Sequence, residues 1–253
     1  MGGQKWATIT DVKLTSELES LYQAWLDEKT IPLKCRPHLY NLSHHHQIVF
    51  LMHVPLERLG PQPPERRPVL PYIYACRDHL RTWLTNNGDI WGQIACALPP
   101  SLAGAKLANV QDLIDNVYFT DCVKCEPDKK ANGQIDGKNL ADHKTHTAGC
   151  LRDEFALLQR AVLFITIGRE AWDTIPHLVG QLSPVDSRHY QHLRAGEPRA
   201  TSKVTDVHGV LFKRKGKLVI PLSFPRGQTN ALRNSYLEYF KDGLAALKDN
   251  FHS

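Results

Sequence analysis

Short apolar runs separated by helical patterns constrain this chain more than any other feature. Gln47–Val54 (QIVFLMHV), Val117–Val123 (VYFTDCV) and Val162–Thr166 (VLFIT) have strand length and are rich in β-branched and aromatic residues. GVLFKRKGKLVIPL (209–222) reads as a hairpin with Lys215-Gly216 at its turn. Between them, residues 15–28 carry Leu18, Leu21, Tyr22 and Trp25 at helical spacing. Further helices are expected at 73–86, closed by Asn87-Gly88, at about 151–160, after the turn at Gly168, and at 230–248 with Leu232, Tyr236, Phe240 and Leu244. Strands that alternate with helices favour a mostly parallel α/β sheet. Its ligand site lies beyond the carboxyl ends of the strands, here the segments after Val54, Cys122, Ile167 and Leu222.

A length of 253 residues suits a single domain, with the polar 126–149 stretch as an inserted loop. A hydrophobic fraction of 42% supports a real core and argues against wholesale disorder. The net charge of +5 is compatible with a nucleic-acid partner without requiring one. No apolar run reaches the roughly 20 residues of a membrane span, and MGGQKWATIT has no apolar signal core. A cytoplasmic monomer is the expectation. In a reducing compartment, six cysteines point to metal or cluster ligation before disulfides. The loop IPLKCRPHLYNLSHHH (31–46) has no periodic structure, and His44-His45-His46 reads as a solvated turn.

VYFTDCVKCEP (117–127), the spaced Cys150 and VLFITIGREA (162–171) resemble the iron–sulfur, family-four type of the uracil-DNA glycosylase superfamily. That family reads roughly V-Y-I-T-N-V-V-K-C-R-P-P, a spaced cysteine, and K-V-I-V-T-L-G-R-x-A. In the same register PYIYACRDHLRTWL (71–84), FLMHVPL (50–56) and IPLSFPRGQTNALR (220–233) fall on its other motifs. The resemblance implies a three-layer α/β/α sandwich with a mostly parallel four-stranded central sheet. It also implies an enzyme that flips a nucleotide from duplex DNA, because the glycosidic bond is out of reach within the stack.

The changed letters modify that expectation. Asp121 stands where the family has a base-reading asparagine. A carboxamide both donates and accepts, whereas an ionised carboxylate only accepts. It would repel the O4 of uracil and suit the exocyclic amine of a cytosine-type base, and a protonated Asp121 could donate to cytosine N3. Excision of ordinary cytosine would destroy the host genome, so a modified base is expected, with defence against viruses as a conceivable setting. The alternative is that Asp121 caps the following loop. His53 falls on the family's water-orienting acid, and Tyr72 on its base-stacking phenylalanine. Phe224 replaces the histidine that stabilises the leaving base. It is a candidate base contact or duplex wedge. Arg226 and Arg233 are candidate phosphate contacts. Tyr74 and Cys76 replace small residues and imply a remodelled pocket. No lysine falls on a nucleophile position, so a monofunctional hydrolytic route is expected over Schiff-base chemistry.

The family's cluster ligands map to Cys35, Cys125 and Cys150, with His38 in place of a fourth cysteine. Such a set can hold a 4Fe-4S cluster or zinc. Cys122, Cys125, His143 and His146 form a rival zinc set, and no metal at all is a third option. Four functions remain open: a glycosylase for a modified cytosine-type base, a conventional uracil glycosylase, a non-catalytic nucleic-acid binder, and a zinc-finger nuclease.

Overall fold

The computed structural model describes residues 14–27, 38–53, 69–87, 89–124, 148–185, 203–224 and 230–251. In chain order these form α1 (Ser16–Asp27), β1 (Ile48–Met52), α2 (Val69–Asn86), α3 (Ile90–Ala97), α4 (Pro100–Ala103), α5 (Val110–Asn116), β2 (Tyr118–Asp121), α6 (148–157), β3 (Leu163–Ile167), α7 (Arg169–Val179), β4 (Ser183–Pro184), β5 (Phe212–Arg214), β6 (Lys217–Leu222) and α8 (Asn230–Phe251). The described strands make one sheet in the order β2-β1-β3-β6-β5-β4. The first four strands run parallel and every residue of β1, β2 and β3 is buried, as expected for a sheet covered on both faces. Among the described residues the sheet is therefore six-stranded, not four-stranded: β5 and β4 extend the parallel core antiparallel.

Strand parity assigns the layers. Phe50, Phe119, Ile165 and Ile220 are register partners, so they share one face. Phe50 stacks on Phe119 and meets Trp91 of α3, and Gly243 of α8 lies against Ile220. Val49, Tyr118, Phe164 and Val219 share the opposite face. There Phe155 of α6 stacks on Phe164, and Trp172 of α7 packs on Phe212. This is a three-layer α/β/α sandwich, in which each fully buried large side chain contributes about 1.5–3 kcal/mol.

Local chemistry closes the elements. Lys215 (φ 43°) and Gly216 (φ 76°) supply the two left-handed positions of a tight hairpin turn between β5 and β6. At Gly209 (φ 80°) a Cβ would stand 2.3 Å from the Tyr239 carbonyl oxygen, so glycine lets this segment lie against α8. Asn109 caps α5 by accepting from the Asp112 backbone amide at 2.9 Å.

Several expectations need correcting. Residues 148–149 belong to α6, not to the inserted loop; 126–147 lie outside the described residues. Of the expected solvated turn His44-His45-His46, His45 is exposed, whereas His44 and His46 are half-buried. His44 Nδ1 bonds Thr15 Oγ1 at 3.0 Å, and burial holds the His46 imidazole down to about 4. No described helix is long and apolar enough to cross a membrane.

Candidate functional site

Asp121 ends β2 in register with Met52, and His53 follows Met52 directly. The backbones of the two candidate catalytic residues therefore lie at adjacent strand ends, about 5 Å apart between strands, but Asp121 shares a face with Met52, so strand alternation sets His53 toward the opposite face. The Cys122 amide donates to Met52 O at 2.8 Å and the Val123 amide to His53 O at 3.2 Å, which extends the ladder past both. Parity turns Asp121 toward the α2 layer and Thr120 toward α6.

Asp121 is fully buried. Tyr40 Oη donates to its Oδ2 at 2.9 Å, while Oδ1 is buried with no hydrogen-bond partner among the described residues. Burial pushes the carboxyl up to about 7; Lys124 and the Tyr40 hydrogen bond pull the other way. Tyr72 and Cys76 belong to this cluster, for both influence or feel the Tyr40–Asp121 pair. Burial raises the Cys76 thiol to about 12, which makes it inert packing.

Tyr40 arrives on a segment that sequence periodicity gave no reason to single out. Residues 38–42 run buried beside β2, the outer strand of the sheet. Asn41 imitates a strand: its Nδ2 donates to Phe119 O at 2.7 Å and its Oδ1 accepts from Phe119 N at 2.8 Å. The His38 amide donates to Lys124 O at 3.1 Å, and Arg77 Nη1 of α2 donates to Tyr40 O at 2.8 Å. The segment thus satisfies an edge that would otherwise stay open. With the Tyr40 proton directed to Asp121, His38 Nδ1 is the donor to Tyr40 Oη at 3.0 Å. Burial holds His38 down to about 3, so it is neutral.

A second polar network lies on the opposite face. Glu154 of α6 accepts from Tyr118 Oη at 2.7 Å and Thr120 Oγ1 at 2.6 Å, and pairs with Lys124 Nζ at 2.9 Å. Lys124 also donates to Thr120 Oγ1 at 2.8 Å and lies over the Trp25 ring at 5.3 Å. Both charges are fully buried, and the pair pins the loop that follows Asp121.

The other predicted residues are distributed as follows. Tyr72 is buried on the inner face of α2. Tyr74 lies on the outer face of that helix, 41% exposed, so it does not remodel the Asp121 cluster; two helical positions turn a side chain by roughly 200°. Tyr74 instead lines a cavity of about 650 Å³ between α2, α5 and residues 42–46. Phe224 follows β6, three strand spacings or about 14 Å from the β2 end. It is 38% exposed and packs on Trp83 of α2 at 6.0 Å. Behind it, His208 Nδ1 accepts from the Ser223 amide at 2.9 Å and Tyr236 Oη donates to Ser223 O at 2.8 Å, which fixes the strand exit. Arg226 and the Arg233 side chain lie outside the described residues, Arg233 falling on α8. Cys35, Cys125, His143 and His146 also lie outside them. Cys122 and Cys150 are buried. His38 fits a ligand's chemistry: one ring nitrogen is held by Tyr40, and the buried Nε2 has no hydrogen-bond partner among the described residues. No metal-holding group of three His, Cys, Asp or Glu occurs among the described residues.

No curated protein matches the chain. The family model described as Uracil DNA glycosylase superfamily matches residues 53–248, from the end of β1 into the last turns of α8. That span takes in Asp121, Gly168 and Ser223, the strand ends at which the parallel sheet would hold a ligand. The chain belongs to the Uracil DNA glycosylase superfamily, a group of DNA-acting hydrolases.

Proposed function

We propose that this chain is a monofunctional DNA glycosylase that releases an amino-bearing, cytosine-type base from an extruded nucleotide by hydrolysis, leaving an abasic site. The observation that carries the reading is Asp121: a carboxyl at a strand end, buried, with one oxygen held by Tyr40 and the other lacking a partner among the described residues. An ionised carboxylate there accepts from an exocyclic amine and repels a keto oxygen. His53 follows the neighbouring strand and falls on the family's water-orienting position, a role open to an imidazole. Tyr72 and Phe224 offer aromatic faces to nucleobases, and Arg226 and Arg233 offer charge to phosphates. The Lys124 ammonium is engaged by Glu154 and Thr120, which favours water over an amine nucleophile.

The family-four subtype belongs to the same proposal. Cys35, His38, Cys125 and Cys150 would hold a 4Fe-4S cluster, or zinc in its place, and His38 would bind through Nε2. Such a group would supply a structural cross-link to the segment that carries His38 and Tyr40. A modified base is the fitting substrate because release of ordinary cytosine would damage the cell's own genome; defence against viruses with modified DNA would use such an enzyme.

The test is a panel of duplexes bearing modified cytosines, uracil or ordinary bases, treated with protein and then with alkali. Alkali-dependent cleavage at a modified cytosine and not at uracil is expected. Cleavage at uracil alone restores a conventional uracil glycosylase, binding without release denotes a non-catalytic relative, and breaks before alkali denote a nuclease.

A further inference from the structure

We propose that Tyr40 is a specificity-determining residue: by donating its hydroxyl to Asp121 Oδ2 it fixes the carboxyl plane and leaves Oδ1 as the atom that meets the base. The inference deepens the reading of Asp121 as the base acceptor and rests on it. Tyr40 lies upstream of the span 53–248 that the family model matches.

Geometry makes the case. The outer torsion of an aspartate is broad and two-fold, so its own rotamer preference does not decide which oxygen faces a ligand. A hydrogen bond to one oxygen does decide it. The Tyr40 hydroxyl is 2.9 Å from Oδ2 and its ring is 1% exposed. It cannot swing away, because Tyr40 is held at three points. His38 Nδ1 donates to Oη at 3.0 Å, Arg77 Nη1 donates to the Tyr40 carbonyl at 2.8 Å, and the neighbouring Asn41 is doubly bonded to Phe119 of β2. The hydroxyl has one hydrogen and directs it to Oδ2, which leaves Oδ1 as the carboxyl oxygen with no hydrogen bond among the described residues. A donor on the carboxylate also favours its ionised, acceptor-only form. An incoming amine then finds a fixed acceptor, and a keto oxygen finds a fixed repulsion. Without Tyr40 the carboxyl can turn, or can carry a proton toward a keto group, and discrimination falls while the reaction itself persists.

The experiment measures kcat/KM for an amino-bearing modified cytosine and for uracil in matched duplexes, using full-length protein. Tyr40→Phe is expected to lower that ratio by about tenfold or more, the worth of one charge-assisted hydrogen bond. The split should fall on the preference between bases, with kcat for the preferred base changed far less than the ratio. Both rates come from one preparation, so a smaller folded fraction cancels. Arg77→Gln, which loosens the Tyr40 main chain from outside the buried relay, should lower the same ratio. In an Asp121→Asn background, Tyr40→Phe should change the ratio by less than about twofold, because its partner has lost the charge. An unchanged ratio in Tyr40→Phe, with Asp121→Asn still altering it, overturns this inference and leaves the proposed function standing. An equal effect of Tyr40→Phe in both backgrounds also overturns it. Wild-type protein that releases neither base overturns the proposed function, and this inference with it.

Discussion

Replacing Asp121 with asparagine should stabilise the fold, and the gain should grow with pH. Burial raises this carboxyl from its ordinary 3.8 to about 7. The folded state therefore holds a proton that the unfolded chain has released between those values. The sign follows: the group's contribution is fully present below about pH 4 and is lost as pH rises through about 7. Above that, the ionised form costs roughly 4 kcal/mol relative to the unfolded chain, at 1.36 kcal/mol per pH unit. Asparagine has nearly the same shape and no charge. The difference between variant and wild type should thus move in favour of the variant by about 2.5 kcal/mol between about pH 5 and about pH 8. For a chain of this size that is a relative rise in Tm of roughly 5–10 °C. Paired urea unfolding curves at the two pH values measure it, and other titrating groups cancel in the comparison. A difference that does not change with pH would show that the carboxyl is not strained by burial, and the electrostatic reading of the site would fall.

Three further outcomes follow from the same geometry. Release of an amino-bearing base under single-turnover conditions should rise with pH about a midpoint near 7, as Asp121 ionises, and that limb should vanish in Asp121→Asn. Glu154→Gln strands the buried Lys124 ammonium and should cost about 3–5 kcal/mol in urea unfolding, whereas joint replacement of Lys124 and Glu154 by apolar residues should cost much less. Gly209→Ala places a methyl 2.3 Å from the Tyr239 carbonyl at a φ of 80° and should destabilise by roughly 3 kcal/mol or more, read as a fall in urea midpoint.

The strands were legible in the sequence because buried parallel strands are near-continuous apolar runs. Gln47–Val54 contains β1, Val117–Val123 contains β2, and Lys215-Gly216 does turn the hairpin. Asp121 and His53 end neighbouring strands, as the carboxyl-end rule expects, but their side chains belong to opposite faces of the sheet. Other features had no sequence signature. α3 (IWGQIACA) has an apolar or small residue at seven of its eight positions, and α4 is a single turn, so neither shows an amphipathic period. β4 has two residues, too short for alternation. Residues 38–42 act through side chains: Asn41 bonds a strand backbone, and Tyr40 reaches a carboxylate 81 positions away. The Lys124–Glu154 pair spans the insertion and needs the fold to be seen. Tyr74 was assigned to the pocket by motif register, but the phase of α2, set by the buried Tyr72, Cys76 and Leu80, turns it outward.

The central claim is that a strand-end carboxylate selects the base. Base release by wild type and Asp121→Asn, side by side on duplexes carrying a modified cytosine or uracil, addresses it most directly. The account predicts release of the modified cytosine by wild type, with asparagine reducing that release and raising release of uracil. The same preference in both proteins would contradict it.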